Sequence, residues 1–289
     1  MIFGQTNSRL FSFLAIFILL ASQWAPQTLA EESEHLIDHI LKDGELKVAV
    51  SPGFVPFVVD GDEVEEVQKK VVGELEVDTA TGVVGFDIEL ARALAASLNV
   101  RLVLVKARNL AHLQQLVDDE QVHMALSGLT RTLERAWSFY ISDPYFVSGL
   151  IILVPEESPY RTLADLNVSN ATVIVKPAST SEAFARKNLP NASIEVINTE
   201  AELAKRLSTR DSAAILDAIK ARSLTMSGQV KGKFRRLESR RFTDEYFGIL
   251  MQRDTSLVRY VNLFLEEFKR SGKFHEVASR FNPWFRSED

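Results

Sequence analysis

The chain contains no cysteine. It can therefore build no disulfide framework, and no Cys follows the N-terminal apolar run to carry a lipid. Histidine is scarce as well, with five in 289 residues. The one pair at helical spacing, His35 and His39, would share a face of a short helix. No third ligand stands near them in sequence, so they read as part of that helix and no metal is expected. A basic block is missing too: 33 Lys and Arg are scattered among 39 Asp and Glu, for a formal charge of -6. That excludes the phosphate-tracking surface of a nucleic-acid binder. No Ser/His/Asp set and no glycine-rich phosphate loop is apparent, so neither an enzyme nor a cofactor is expected.

The longest apolar run lies at the start. A weakly cationic stretch ends at Arg9, an apolar core runs from Leu10 to Ala21, and a polar segment closes on Leu29-Ala30. This is the order of a secretory signal peptide, residues 1–30. The apolar core is shorter than the roughly twenty residues of a membrane span. An uncleaved N-terminal anchor is the alternative. Cleavage after Ala30 would leave about 259 residues, free of membrane spans and large enough for one large or two modest cores. The expected location is the periplasm, as a soluble protein.

The remainder alternates strands and helices. Glu45 to Val50 reads as a strand stopped by Ser51-Pro52-Gly53. Ile88, Leu90, Ala91, Leu94, Ala95 and Leu98 form an apolar stripe at helical spacing, with Asp87 placed to cap its start. Strand Val100 to Val105, helix Leu110 to Val117, strand Val122 to Leu126 and a helix from Thr132 complete a β-α-β-α-β unit, the rhythm of a mostly parallel sheet. After the apolar run Gly149 to Val154 a second unit of the same plan begins, ending near strand Ala213 to Leu216. Two units predict two lobes. Tyr246 to Met251 could carry the chain back to the first. Ser256 to Ser271 is an amphipathic helix whose stripe reads as core packing. One stretch stands apart: Asp60 to Asp78 is long and acidic for an α/β connection. A solvated helical turn or hairpin is one reading, and a flap is the other.

Three segments together carry a family likeness. Gly85-Phe86-Asp87-Ile88-Glu89-Leu90-Ala91, then Ala125 through Arg135, then Ser142-Asp143-Pro144-Tyr145, resemble the family 3 bacterial solute-binding proteins, the polar amino-acid receptors of ABC transporters. Val50 to Phe57 and Pro283-Trp284-Phe285 fit the family's ends. The resemblance implies an α/β chain with the type II periplasmic binding protein fold: two lobes, each with a central mostly parallel sheet, joined by a two-strand hinge. Residues 31–147 and 247–289 would form lobe 1 and 148–246 lobe 2, with the hinge near Val147-Ser148-Gly149 and Phe247-Gly248. It also implies a small-molecule ligand, an amino acid, delivered to an ABC permease by a monomer.

Site residues follow residue by residue. Arg135 matches the Arg of the family's T-x-T-x-x-R pattern, which holds the ligand carboxylate with help at Gly128 and Thr130. A planar guanidinium suits a carboxylate better than an ammonium would. A surface ion pair with Glu134 is the structural alternative. Asp217 resembles the lobe 2 aspartate that receives the ligand ammonium, and it sits at a strand's carboxyl end, where α/β proteins place ligands. It could equally cap the helix that follows. Ser179 and Thr180 occupy the family's Gly-Thr-Gly turn, here Lys176-Pro177-Ala178-Ser179-Thr180-Ser181 without glycine. Phe54 fits one ligand-stacking position and Leu110 the other, so stacking would be one-sided. Ser51 replaces an acid that some members use, which argues against a strongly basic ligand. His123 and Ser212 stand where many members carry structural aspartates.

Two other functions remain open. Cyclohexadienyl dehydratases resemble these receptors and use a closed cleft for acid–base elimination, and fold does not determine function. An accessory or sensory protein without transport is the second, supported by the acidic stretch and the missing turn glycines.

Overall fold

The structure is a computed structural model that describes Met1 and residues 35–285, Asp62 excepted. The expected signal peptide, beyond Met1, lies outside the described residues.

Glu45–Val50 (β1) has Leu46, Val48, Ala49 and Val50 fully buried, the apolar content of a strand covered on both faces. It pairs in parallel with Arg101–Lys106 (β2), Glu45 opposite Arg101, and with Met124–Ala125 (β3), Val48 opposite Met124. Further along come Tyr140–Ile141 (β4), Phe146–Ser148 (β5), Leu150–Pro155 (β6), Thr172–Val175 (β7), Ser193–Val196 (β8), Ala213–Asp217 (β9), Phe234–Arg236 (β10), Glu245–Phe247 (β11) and Leu250–Met251 (β12). One five-stranded sheet has the order β2-β1-β3-β12-β4, and a second has the order β10-β6-β9-β7-β8. Between the two runs an antiparallel pair, β5 with β11, in which Tyr246 faces Val147. The chain thus has the two-lobed type II periplasmic binding fold with a two-strand hinge.

The sheets are mixed rather than mostly parallel. β12 runs antiparallel to β3 and β4, and β6 antiparallel to β9 and β10. The reason is connectivity. β6 and β12 enter their sheets from the hinge, a residue or two after β5 and β11, and not through the helical crossover that a parallel neighbour needs.

The helix Phe86–Ser97 buries the expected stripe, but Asp87 is not its cap. Gly85 is, at φ 139°, and a Cβ there would lie 2.3 Å from the carbonyl oxygen of Phe57. Only glycine allows this approach. Asp87 lies inside the first turn and points into the protein instead.

Lobe 1 draws its core from both ends of the chain, Ile40 and Leu46 packing in one cluster with Phe281 and Trp284. At its centre Phe57, Phe86, Phe146, Phe247 and Phe285 meet mostly edge-on or tilted, Phe146 and Phe247 being stacked, with Phe146 and Phe285 ring centres 4.7 Å apart. The hinge strands therefore root in the lobe 1 core. The helix Thr255–Arg270 buries Leu257, Val261, Leu265 and Phe268 there, as its stripe predicts. In lobe 2 two apolar clusters cover the two faces of the sheet. Residues 60–78 hold a short helix, Glu63–Gln68, with exposed ion pairs Glu65–Lys69 and Glu66–Lys70. Val67 and Leu75 anchor the segment in the core, and Val72 N–H donates to Arg280 O at 3.2 Å. A solvated helical turn describes it. Among the described residues no helix is long and apolar enough to cross a membrane, and no three His, Asp or Glu side chains gather as metal ligands would.

Candidate functional site

Carboxyl ends of parallel strands and the helix N-termini after them meet between the lobes around a cleft with a cavity of about 130 Å³. Each expected ligand contact lines it: Ser51, Phe54, Leu110, Gly128, Thr130 and Arg135 from lobe 1, and Ser179, Thr180 and Asp217 from lobe 2.

Arg135 stands in the first turn of the helix Leu133–Ser138, whose cap, Thr132, accepts from the Arg135 N–H at 3.1 Å. Its side chain is buried, 8 % exposed, and does not pair with Glu134 at the surface. Nη1 donates to Thr130 O at 2.6 Å, and Nη2 reaches across the cleft to Ala178 O at 3.4 Å. Burial pulls its pKa down, opposed by the fields of Glu245 and Glu134. Glu245 is itself buried at the start of β11, where Thr243 Oγ1 donates to its Oε1 at 2.7 Å and its Oε2 has no hydrogen-bond partner among the described residues.

Asp217 ends β9 and caps the helix Ala218–Met226, its Oδ1 accepting from Ile219 N–H at 2.8 Å. The same oxygen accepts from Ser148 Oγ of the hinge at 2.8 Å. Capping and facing the cavity are thus one role. Burial raises its pKa to about 7, although the residue keeps some solvent exposure in the cleft; the Ser148 and Ile219 bonds oppose this, and Glu245 adds to it.

Ser179 caps the helix Thr180–Asn188 and donates to Lys176 O at 2.5 Å. Where the glycines are missing, Ala178 takes the left-handed conformation at φ 54°, a strain of about 1–2 kcal/mol. The turn thus holds a left-handed residue without glycine, and the helix N-terminus at Ser179-Thr180 faces the cavity.

Phe54 packs on Phe57 and Phe247, at ring-centre distances of 4.8 and 5.9 Å, and lies against Gly128. A Cβ on Gly128, at φ 58°, would stand 2.3 Å from the Phe54 ring. Asp87 holds this loop: its Oδ2 accepts from Gly128 N–H at 2.7 Å and its Oδ1 from Tyr145 Oη at 2.9 Å. Asp87 is fully buried, and burial raises its pKa to about 7 against those two bonds. His123 accepts from Lys47 N–H at 3.0 Å, with burial holding its pKa down near 4. Ser212 bonds Arg206 and Asp211. Both are structural.

Sequence reasoning missed a charged group on the same wall. Lys220 Nζ lies 2.5 Å from Glu200 Oε2 and donates across the cleft to Gly53 O at 2.9 Å, while Lys176 Nζ lies 3.8 Å from Glu200 Oε1. Each sits beside a strand end already marked: Lys176 after β7, Glu200 beyond β8, Lys220 one turn past Asp217. The strand-end rule that points to Asp217 could have found them.

A family model for bacterial extracellular solute-binding proteins, family 3, matches residues 74–285. The cyclohexadienyl dehydratase of Pseudomonas aeruginosa is 30% identical over 274 residues, 94% of this chain and 92% of that protein. The crystal structure of an ancestral amino acid-binding protein, AncCDT-1, described as a precursor of cyclohexadienyl dehydratase, superposes with a TM-score of 0.71 at 26% identity, covering 87% of this chain and all of that one. A putative ABC-transporter binding component from Wolinella succinogenes, complexed with lysine, gives 0.70 at 26% identity, over 85% of this chain and 97% of that one.

Proposed function

This chain belongs to the bacterial extracellular solute-binding proteins of family 3, and we propose that it captures a free amino acid between its lobes in the periplasm and delivers it to an ABC permease. The observation that carries this reading is that a buried guanidinium, Arg135, and a carboxyl, Asp217, stand on one cavity wall but come from different lobes. An amino acid brings a carboxylate and an ammonium, and sealing either away from water is costly unless it meets a partner. Arg135 has donors beyond the two taken by carbonyls, and the helix N-terminus at Ser179-Thr180 adds backbone dipoles for the same carboxylate. Asp217 receives the ammonium, which draws its carboxyl back to the charged form. Ligand meets lobe 1 first and lobe 2 then closes, because only the closed state completes both sets of contacts. The closed form is what the permease reads, and export proceeds through residues 1–30.

Calorimetry with the common amino acids on the wild type, Arg135→Ala and Asp217→Ala tests the clamp. Each substitution should weaken binding by about 10- to 100-fold, the loss of one hydrogen bond to a charged group. Undiminished affinity in both variants would remove the clamp.

A second reading has support in the relative at 30% identity over 94% of this chain, a cyclohexadienyl dehydratase. Asp217, with its pKa near 7, has the poise of a general acid–base group at neutral pH. Incubation with prephenate or arogenate distinguishes the two: an aromatic product at a rate abolished by Asp217→Asn makes the protein an enzyme, and unchanged substrate leaves it a receptor.

A further inference from the structure

The α-amino-acid clamp uses Arg135 and Asp217 and leaves three charges on the cavity wall, Lys176, Lys220 and Glu200. Two ammonium groups share a single carboxylate there, and they share it unequally. Lys220, 7 % exposed, is held at 2.5 Å and has Gly53 O as a second acceptor. Lys176, whose side chain is 35 % exposed at the cleft, has only the 3.8 Å approach to Glu200, too long for a hydrogen bond, and no nearer protein acceptor among the described residues. Its pKa is lowered by burial first, with Glu200 opposing and the charge of Lys220 adding to the fall. An ammonium so placed wants an anion. Glu63 is the next acid, but it does not line the cavity, and burial raises its carboxyl toward the neutral form.

The converse test is where a basic side chain could go. A guanidinium or ammonium needs a carboxylate of its own, and among the cavity's acids Asp217 is committed to the α-ammonium and Glu200 to the two lysines. Ser51, on the lobe 1 side, offers only a hydroxyl. A cationic ligand would meet Lys176 and Lys220 as like charges.

Resting on the amino-acid clamp proposed above, we propose that the ligand is acidic: a small dicarboxylic amino acid whose second carboxylate is received by Lys176, with Lys220 beside it. The chain would then have turned the cleft away from a basic ligand such as the lysine bound in the Wolinella succinogenes structure.

Calorimetry with L-glutamate, L-aspartate, L-glutamine and L-lysine on the wild type and on Lys176→Gln tests this. The amide analogue has the shape of L-glutamate without its charge, and Lys176→Gln leaves the Lys220–Gly53 tether in place. L-glutamate or L-aspartate should bind the wild type at least about tenfold more tightly than L-glutamine, the scale of one charge-assisted hydrogen bond, and L-lysine should bind most weakly. In Lys176→Gln the gap between L-glutamate and L-glutamine should close, with the L-glutamine affinity unchanged. Equal or tighter binding of L-glutamine or L-lysine by the wild type overturns the acidic ligand and leaves the clamp standing. A gap that survives in both Lys176→Gln and Lys220→Gln overturns the assignment to these lysines. If no amino acid of any charge binds, the clamp falls and the acidic ligand with it.

Discussion

Replacing Asp217 by asparagine should make the ligand-free protein more stable above neutral pH while weakening its affinity for ligand. The carboxyl has an ordinary pKa of 3.8 and is lifted to about 7 in the folded chain. A raised folded-state pKa means that the folded protein holds this proton more tightly than the unfolded chain. Between about pH 4 and 7 the folded state therefore binds more protons, and the contribution of Asp217 to stability, present in full below its unfolded pKa, is lost as pH rises through 7. At about 1.4 kcal/mol for each tenfold change in proton affinity, burying the charged form costs at most about 4 kcal/mol at pH 8. Asparagine keeps an oxygen for Ser148 Oγ and Ile219 N–H, so the cap survives and the charge does not. Asp87 titrates in the same window but is present in both proteins, so it cancels in the comparison. Thermal unfolding at pH 4, 6 and 8 is the assay. The Tm of Asp217→Asn should exceed that of the wild type by about 5 °C or more at pH 8, and the two should converge at pH 4. Parallel curves, with a constant difference across the range, would refute the reasoning that desolvation of Asp217 dominates its behaviour.

Two further substitutions test the support beneath the cleft. Gly128→Ala adds a Cβ 2.3 Å from the Phe54 ring at a positive φ, whereas Gly228→Ala shares the positive φ with nothing within 4 Å. Both should lose about 1 kcal/mol for the left-handed backbone, and only Gly128→Ala should lose a further 1–3 kcal/mol and ligand affinity as Phe54 is displaced; equal denaturation midpoints would show that Phe54 yields freely. Tyr145→Phe removes the 2.9 Å bond to Asp87, at a cost of about 1–3 kcal/mol. Because that bond lowers the Asp87 pKa, its loss should be felt more at pH 8 than at pH 5 in urea denaturation, and a pH-independent loss would contradict a charged Asp87 at pH 8.

The positions lining the cleft were named through the family resemblance, and at several of them local chemistry points the same way. Asp217 and Ser179 are caps at strand-to-helix junctions, and Thr132 caps the turn that presents Arg135, so short-range backbone requirements place them whatever the rest of the chain does. Asp87 shows where that logic stops. A short acid before an apolar stripe is a good cap on sequence grounds, but the close approach of Phe57 O requires Gly85 there, and the partners of Asp87 lie 41 and 58 residues away. The mixed sheets escaped for a similar reason, since a local strand pattern carries no record of the direction from which the chain re-enters a sheet.

Within the sequence, hydrophobic periodicity by itself determined two α/β units, while the hinge and the side chains between the lobes came from motifs that resemble a known family. What those side chains are worth to a ligand was decided by tertiary structure alone. Whether Asp217 is charged, whether Arg135 is buried, and whether Lys176 is left short of a partner depend on which distant segments exclude water from them and which charges those segments bring. Desolvation and Coulomb interaction act through space, and their effect at a site is not contained in the residues adjacent to it in sequence.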